Sequence, residues 1–155
     1  MADSITTNVY ERAPGMTWGR LPIFVWGAFT ASMISFIFTQ AFAAALLMVL
    51  LDRVVGTSFF NFKNQGSALL YEHVFWFYSH PAVYVMVLPG FAAILEILAH
   101  FSRKPLFAYR WVVGGFLGIV ALSGIVWAHH MFTSGMADYL QTPFLVLTEM
   151  ISIPT

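Results

Sequence analysis

The chain has 155 residues, of which 59% are hydrophobic and only 9% charged, with mean hydropathy +0.78 and no net formal charge. Soluble domains carry about 25% charged residues, so this is the composition of a membrane protein, one domain or part of one. The lack of a basic face excludes a nucleic-acid partner, and the absence of cysteine excludes disulfides, thiolate zinc sites and iron–sulfur clusters, leaving His, Met and carboxylates as metal ligands.

Residues 1–20 read as a polar lead-in with a turn at Pro14-Gly15. They lack the basic-then-apolar order of a cleaved signal peptide. Leu21 to Leu51 contains no Asp, Glu, Lys or Arg, and about 20 such residues cross a bilayer, so 21–51 is expected to be one long or tilted transmembrane helix. Asp52 to Ser67 is polar, with Gly at 56 and 66, and reads as a loop. A second span is expected over 72–101, its uncharged Val74 to Leu95 bounded by Glu72 and Glu96. A short basic turn with Pro105 leads to a third span over 109–133, where Gly114, Gly115 and Gly118 permit close helix contact. A fourth apolar run, 139–155, contains Glu149 and reads as the start of a helix. The expected fold is all-α, a transmembrane bundle of three full spans and the start of a fourth.

Polar groups inside these runs are where function is sought, because lipid penalises them. His80 and Tyr84 are four residues apart in the second span, which puts imidazole and phenol on one helix face about 6 Å apart along the axis. The third span carries the adjacent pair His129 and His130. Arg12, Arg20, Arg103, Lys104 and Arg110 flank one side of the spans and only Arg53 and Lys63 the other, so the N-terminus is expected in the cytoplasm, or on the matrix side of an organelle. His80 then comes early in a span entering from outside, and His129 and His130 late in a span leaving there. One lone histidine in a membrane helix is often a bundle-facing hydrogen bonder; three meeting at one depth suggest a metal site with an open position. Met131 and Met136 read as core filling rather than soft ligands. His73 and His100 read as interfacial, and Glu149, a carboxylate within an apolar run, as a functional candidate.

The strings RAPGMTW (Arg12 to Trp18), LLYEHVFWFYSHPAVYVMVLPGF (Leu69 to Phe91), FSRKPLFAY (Phe101 to Tyr109), IVWAHHMFTSGM (Ile125 to Met136) and the terminal ISIPT resemble subunit I of the haem–copper terminal oxidases. The resemblance covers nearly the whole chain after about Ile5, as the fifth to eighth of that subunit's twelve transmembrane helices. It implies that His80, His129 and His130 ligate copper, that Tyr84 is catalytic and cross-linked to His80, and that Thr155 belongs to a proton path. It places the haem-ligating histidines outside this chain, so that haem is bound by the complete subunit and this segment is inactive alone. The implied whole is a respiratory, proton-translocating oxygen reductase in a bacterial or archaeal plasma membrane. It takes electrons from cytochrome c, or in the rival reading from quinol, to reduce dioxygen to water. Its partners are the remaining helices and other oxidase subunits. A split piece that only supplies copper-ligand helices, and a proton transporter using His and Glu relays, are the alternatives from other classes.

Departures from the family pattern concern protons. Most relatives have a glutamate where this chain has Ala82, and Tyr78 and Ser79 stand where Phe and Gly are common. The tyrosine–serine pair marks a recognised subgroup and implies an altered relay through Tyr78 and Ser79, with Glu96 and Glu149 as further proton-path candidates. Leu95 and Glu96 also stand where many relatives have Ser and His or Glu.

Overall fold

A computed structural model describes residues 2–155, with side chains from Ser4 onward. The described residues are all-helical, with no strand. Five α-helices follow in order: α1 (Ala2–Tyr10), α2 (Ile23–Val54), α3 (Ala68–Ser102), α4 (Tyr109–Ser123) and α5 (Asp138–Ile151), with 3-10 turns at Trp18–Arg20, Phe62–Asn64 and Trp127–Met131.

Helices α2 and α3 are long and apolar enough to cross a membrane. At 1.5 Å per residue, 32 and 35 residues reach about 48 and 52 Å, well beyond a hydrocarbon core of about 30 Å. Only 22% and 11% of their most apolar stretches are buried within the chain. The core helix of a soluble protein would bury most of such a stretch. This is a segment of a transmembrane bundle and hence of an integral membrane protein.

α2 and α3 form the main pair. Their backbones approach where Gly27 meets Ala92 and Leu88: a methyl group at Gly27 would lie 2.5 Å from the Ala92 Cβ and 2.9 Å from the Leu88 carbonyl oxygen. The core around this crossing includes Ile34, Leu88, Ala92 and Ile119. Tyr109, at the start of α4, accepts the Trp26 indole N–H at 2.9 Å and donates to the Leu21 carbonyl at 2.7 Å, tying α4 to the beginning of α2. The loop after α2 is organised by Asp52, whose carboxylate accepts from the Thr57 hydroxyl at 2.6 Å and from the N–H groups of Phe59 and Phe60.

Three segments differ from the sequence reading. Residues 1–20 are not merely a polar lead-in, because α1 lies against α2 with Ile5 and Val9 packed on the core. The third apolar run, expected as one helix over 109–133, is divided: α4 stops at Ser123 and a 3-10 turn covers Trp127–Met131. The break falls at Gly124, where the Phe38 ring from α2 occupies the space that a side chain would need. In the fourth run, expected as helix over 139–155, α5 ends at Ile151, since Pro154 disfavours helical backbone at the residue before it.

Candidate metal centre

One face of α3 builds the site. His73, Trp76, Phe77, His80 and Tyr84 recur at three- and four-residue steps, the spacing that aligns side chains along a helix. Pro81 lies within the helix and is fully buried. It removes the N–H that would bond the Phe77 carbonyl, beside His80, yet α3 runs on unbroken.

Opposite this face lies the turn Trp127–Met131. His80, His129 and His130 bring three nitrogen atoms within 4.8 Å of one another. His80 Nδ1 and His130 Nε2 are 3.2 Å apart, and the His80 and His129 rings stand perpendicular with centroids 4.6 Å apart. His80 is buried and His130 exposed, with His129 between them. Tyr84 sets its ring 4.9 Å from that of His80. The structure therefore brings together four residues singled out from two distant parts of the sequence.

The cluster fits a metal ion. Imidazole–metal bonds of about 2.0 Å, as for zinc, make two nitrogens 3.2 Å apart subtend roughly 105° at the ion. The widest pair needs to close by no more than about 1.5 Å to reach tetrahedral spacing. His80 Nδ1 is the nitrogen turned to the cluster, 3.2 Å from His130 Nε2, while its Nε2 is buried without a hydrogen-bond partner. Three neutral imidazoles suit copper, zinc, iron or nickel.

Two contacts steady the pair on the turn. His129 Nδ1 lies 2.8 Å from the Thr148 hydroxyl on α5, a hydroxyl that also donates to the Phe144 carbonyl at 2.6 Å. Such outer contacts hold a ligating ring in orientation. The His130 ring lies flat on the Trp76 indole, centroids 3.8 Å apart and planes 9° apart. Neither Thr148 nor Trp76 was singled out from the sequence. Trp76 shares the three- and four-residue rhythm of His73 and His80 and was legible on that ground; Thr148 lies on another helix with no local signal.

The proton-path candidates are dispersed. Tyr78 stacks on Phe42 of α2 at 4.9 Å. Ser79 adjoins His80. Glu96 accepts the Phe24 N–H at 3.0 Å and so caps the start of α2; sixteen residues along α3 place it about 24 Å from His80. Glu149 is exposed on α5. Thr155 lines a cavity of about 750 Å³, together with Phe91, Leu95, Gly115 and Pro154. Its hydroxyl donates to the Ile151 carbonyl at 2.7 Å. Met131 and Met136 are buried in a small core with Ala128, as the sequence reading expected of core residues.

A family profile described as "Cytochrome C and Quinol oxidase polypeptide I" matches residues 1–155. The chain belongs to this family. Cytochrome c oxidase subunit 1 of Synechocystis sp. is 42% identical over 97% of the chain and 27% of its own length. The subunit of the same name is 40% identical in Cereibacter sphaeroides, over 97% of the chain and 27% of the relative, and 40% in Bacillus subtilis, over 97% and 24%. The chain thus spans about a quarter of the length of these haem–copper oxidase relatives. Haem and copper are the groups that the family implies, and the histidine cluster is where this segment can hold a metal.

Proposed function

We propose that this chain is the copper-holding segment of the catalytic subunit of a respiratory oxygen reductase. His80, His129 and His130 are its copper ligands. The observation that carries this reading is the convergence of three imidazoles, from one long helix and one short turn, beside a tyrosine on the same face as His80. Copper held by these three imidazoles would supply electrons for reducing dioxygen to water, together with the haem that the rest of the subunit would hold.

Each nearby side chain has a defined task. The three imidazoles offer their lone pairs and leave a position open. Tyr84 stands within reach to give a proton and an electron from its phenol. The unpartnered His80 Nε2 supports a covalent bond to the Tyr84 ring, which forms by two-electron oxidation at the expense of dioxygen, one hydrogen leaving each ring. Thr148 and Trp76 hold the ring planes of His129 and His130.

Protons are proposed to approach by two routes. Tyr78 and Ser79 form one beside His80, the Tyr78 ring steadied on Phe42. Thr155 begins another in its cavity, whose wall reaches Phe91, seven residues along α3 from Tyr84. Glu96 and Glu149 are the carboxylates proposed to feed them. Glu96 shares its carboxylate with the Phe24 N–H. The names of the relatives favour cytochrome c as the electron donor, and the basic residues favour a cytoplasmic N-terminus.

Replacing His80, His129 or His130 by Ala in the complete oxidase tests the reading by metal analysis. Copper is expected to fall to background while haem content persists. Retention of full copper by all three variants would end it.

A further inference from the structure

We propose that His73 is a positioning residue: through the indole of Trp127 it holds the short turn that presents His129 and His130. The inference rests on the copper reading of that cluster. His73 was read from the sequence as an interfacial histidine at a helix end, but it lies seven residues before His80 on the same face of α3.

That face meets the turn at successive points. His73 Nδ1 accepts the Trp127 indole N–H at 3.3 Å. Phe77 meets the Trp127 ring edge-on at 5.1 Å, Trp76 stacks on His130 at 3.8 Å, and His80 Nδ1 meets His130 Nε2 at 3.2 Å. Trp127 is the first residue of the turn, and no side chain caps the turn's start. Its ring contacts, with Phe77 and with Phe144 at 5.0 Å, are apolar and tolerate sliding and rotation. The hydrogen bond is the directional contact, and indole has a single donor to make it. Accepting at Nδ1 leaves the neutral imidazole proton of His73 on Nε2.

The arrangement gives each of three residues on the turn its own anchor: His73 for Trp127, Thr148 for His129 and Trp76 for His130. Releasing Trp127 lets the start of the turn rotate, and the two adjacent histidines rotate with it. His73 touches no reacting group and acts through Trp127 alone.

The complete oxidase tests this with two readouts. Ultraviolet resonance Raman spectra, with Trp127→Phe subtracted to isolate the indole in question, report whether its N–H is bonded. Loss of copper to a chelator over time reports how firmly the turn holds its ligands. His73→Leu is expected to move the indole signal to the unbonded position and speed copper loss about tenfold, the lower range for contacts behind a metal ligand. His73→Asn, which keeps an acceptor near the Nδ1 position, is expected to retain the bonded signal and slow copper loss. Adding His73→Leu to Trp127→Phe should change copper loss no further.

An unmoved indole signal in His73→Leu, unchanged copper loss despite a moved signal, or a further increase on top of Trp127→Phe would each overturn the proposal. If His73→Leu fails to assemble, His73→Asn decides, and its loss of the bonded signal together with unchanged copper retention overturns the proposal. A parent oxidase without copper at His80, His129 and His130 would sink the underlying reading of the site, visible before any substitution is made.

Discussion

Thr148 shows how one hydroxyl can hold a proposed copper ligand from a neighbouring helix. It sits 2.8 Å from His129 Nδ1 while bonded to the Phe144 carbonyl on its own helix, so the imidazole is held through the Thr148 hydroxyl to the α5 backbone. Thr148→Val keeps the shape and removes the contact. Copper affinity in the complete oxidase is expected to fall about tenfold or more, measured by competition with a chelator. Tyr78 poses a different residue-scale question. A phenol is a far weaker acid than a carboxyl and does not exchange protons as one does, but it can hold a water chain by giving and accepting hydrogen bonds. Tyr78→Phe is therefore expected to slow oxygen turnover more than about tenfold, within the range of lost proton-transfer assistance, with copper still bound. Restoring Glu at Ala82 should recover part of the rate in a stopped-flow measurement. Normal turnover by Tyr78→Phe would direct attention to Thr155 and Tyr84.

At the scale of the element, the division of the third apolar run matters most. A single α-helix would have carried His129 and His130 past α3 as part of a rod. Instead, Gly124 ends α4 against the Phe38 ring, and the following 3-10 turn lies across the His73 to His80 face. Phe38 in turn meets Phe77 edge-on at 5.2 Å, and Phe77 meets Trp127. A methyl group at 124 must therefore push a ring that is itself wedged behind the site. Gly124→Ala is expected to destabilise the assembled subunit by about 1–3 kcal/mol, as overpacking does, and to lower copper content. The combination with Phe38→Leu should restore part of both in thermal denaturation and metal analysis. Equal stability of Gly124→Ala and the parent would show that the ring yields freely.

For the whole molecule, the exposed faces of α2 and α3 decide behaviour. Met86 on α3 is 81% exposed and Val54 at the end of α2 is 73% exposed, side chains that water would penalise at about 25 cal/mol per Å² of apolar surface. The chain is expected to remain in the membrane fraction through an alkaline wash and to leave it only with detergent; release by the wash would contradict the bundle reading. A second expectation concerns haem. His80, His129 and His130 face one another, and the family resemblance puts the haem ligands elsewhere, so the isolated chain is expected to show no stoichiometric low-spin haem spectrum. Such a spectrum, ligated by His73, His80 or His100, would refute the residue-by-residue assignment.

The apolar runs Leu21 to Leu51 and Val74 to Leu95 were legible without any structure, because more than twenty successive uncharged residues are enough to cross a bilayer. So was the meeting of His80 with His129 and His130, since span direction puts both groups at one depth, and the i, i+4 spacing alone places Tyr84 beside His80. Tertiary structure decided the rest. The seating of α1 on α2, the break at Gly124, the hold of Thr148 on His129 and the bond from His73 to Trp127 each join residues many positions apart. Hydrophobic periodicity reports which way a helix faces, but not which ring from another helix will fill the space beside a glycine. A threonine bonded to its own backbone gives no local sign that it also steadies an imidazole nineteen residues away.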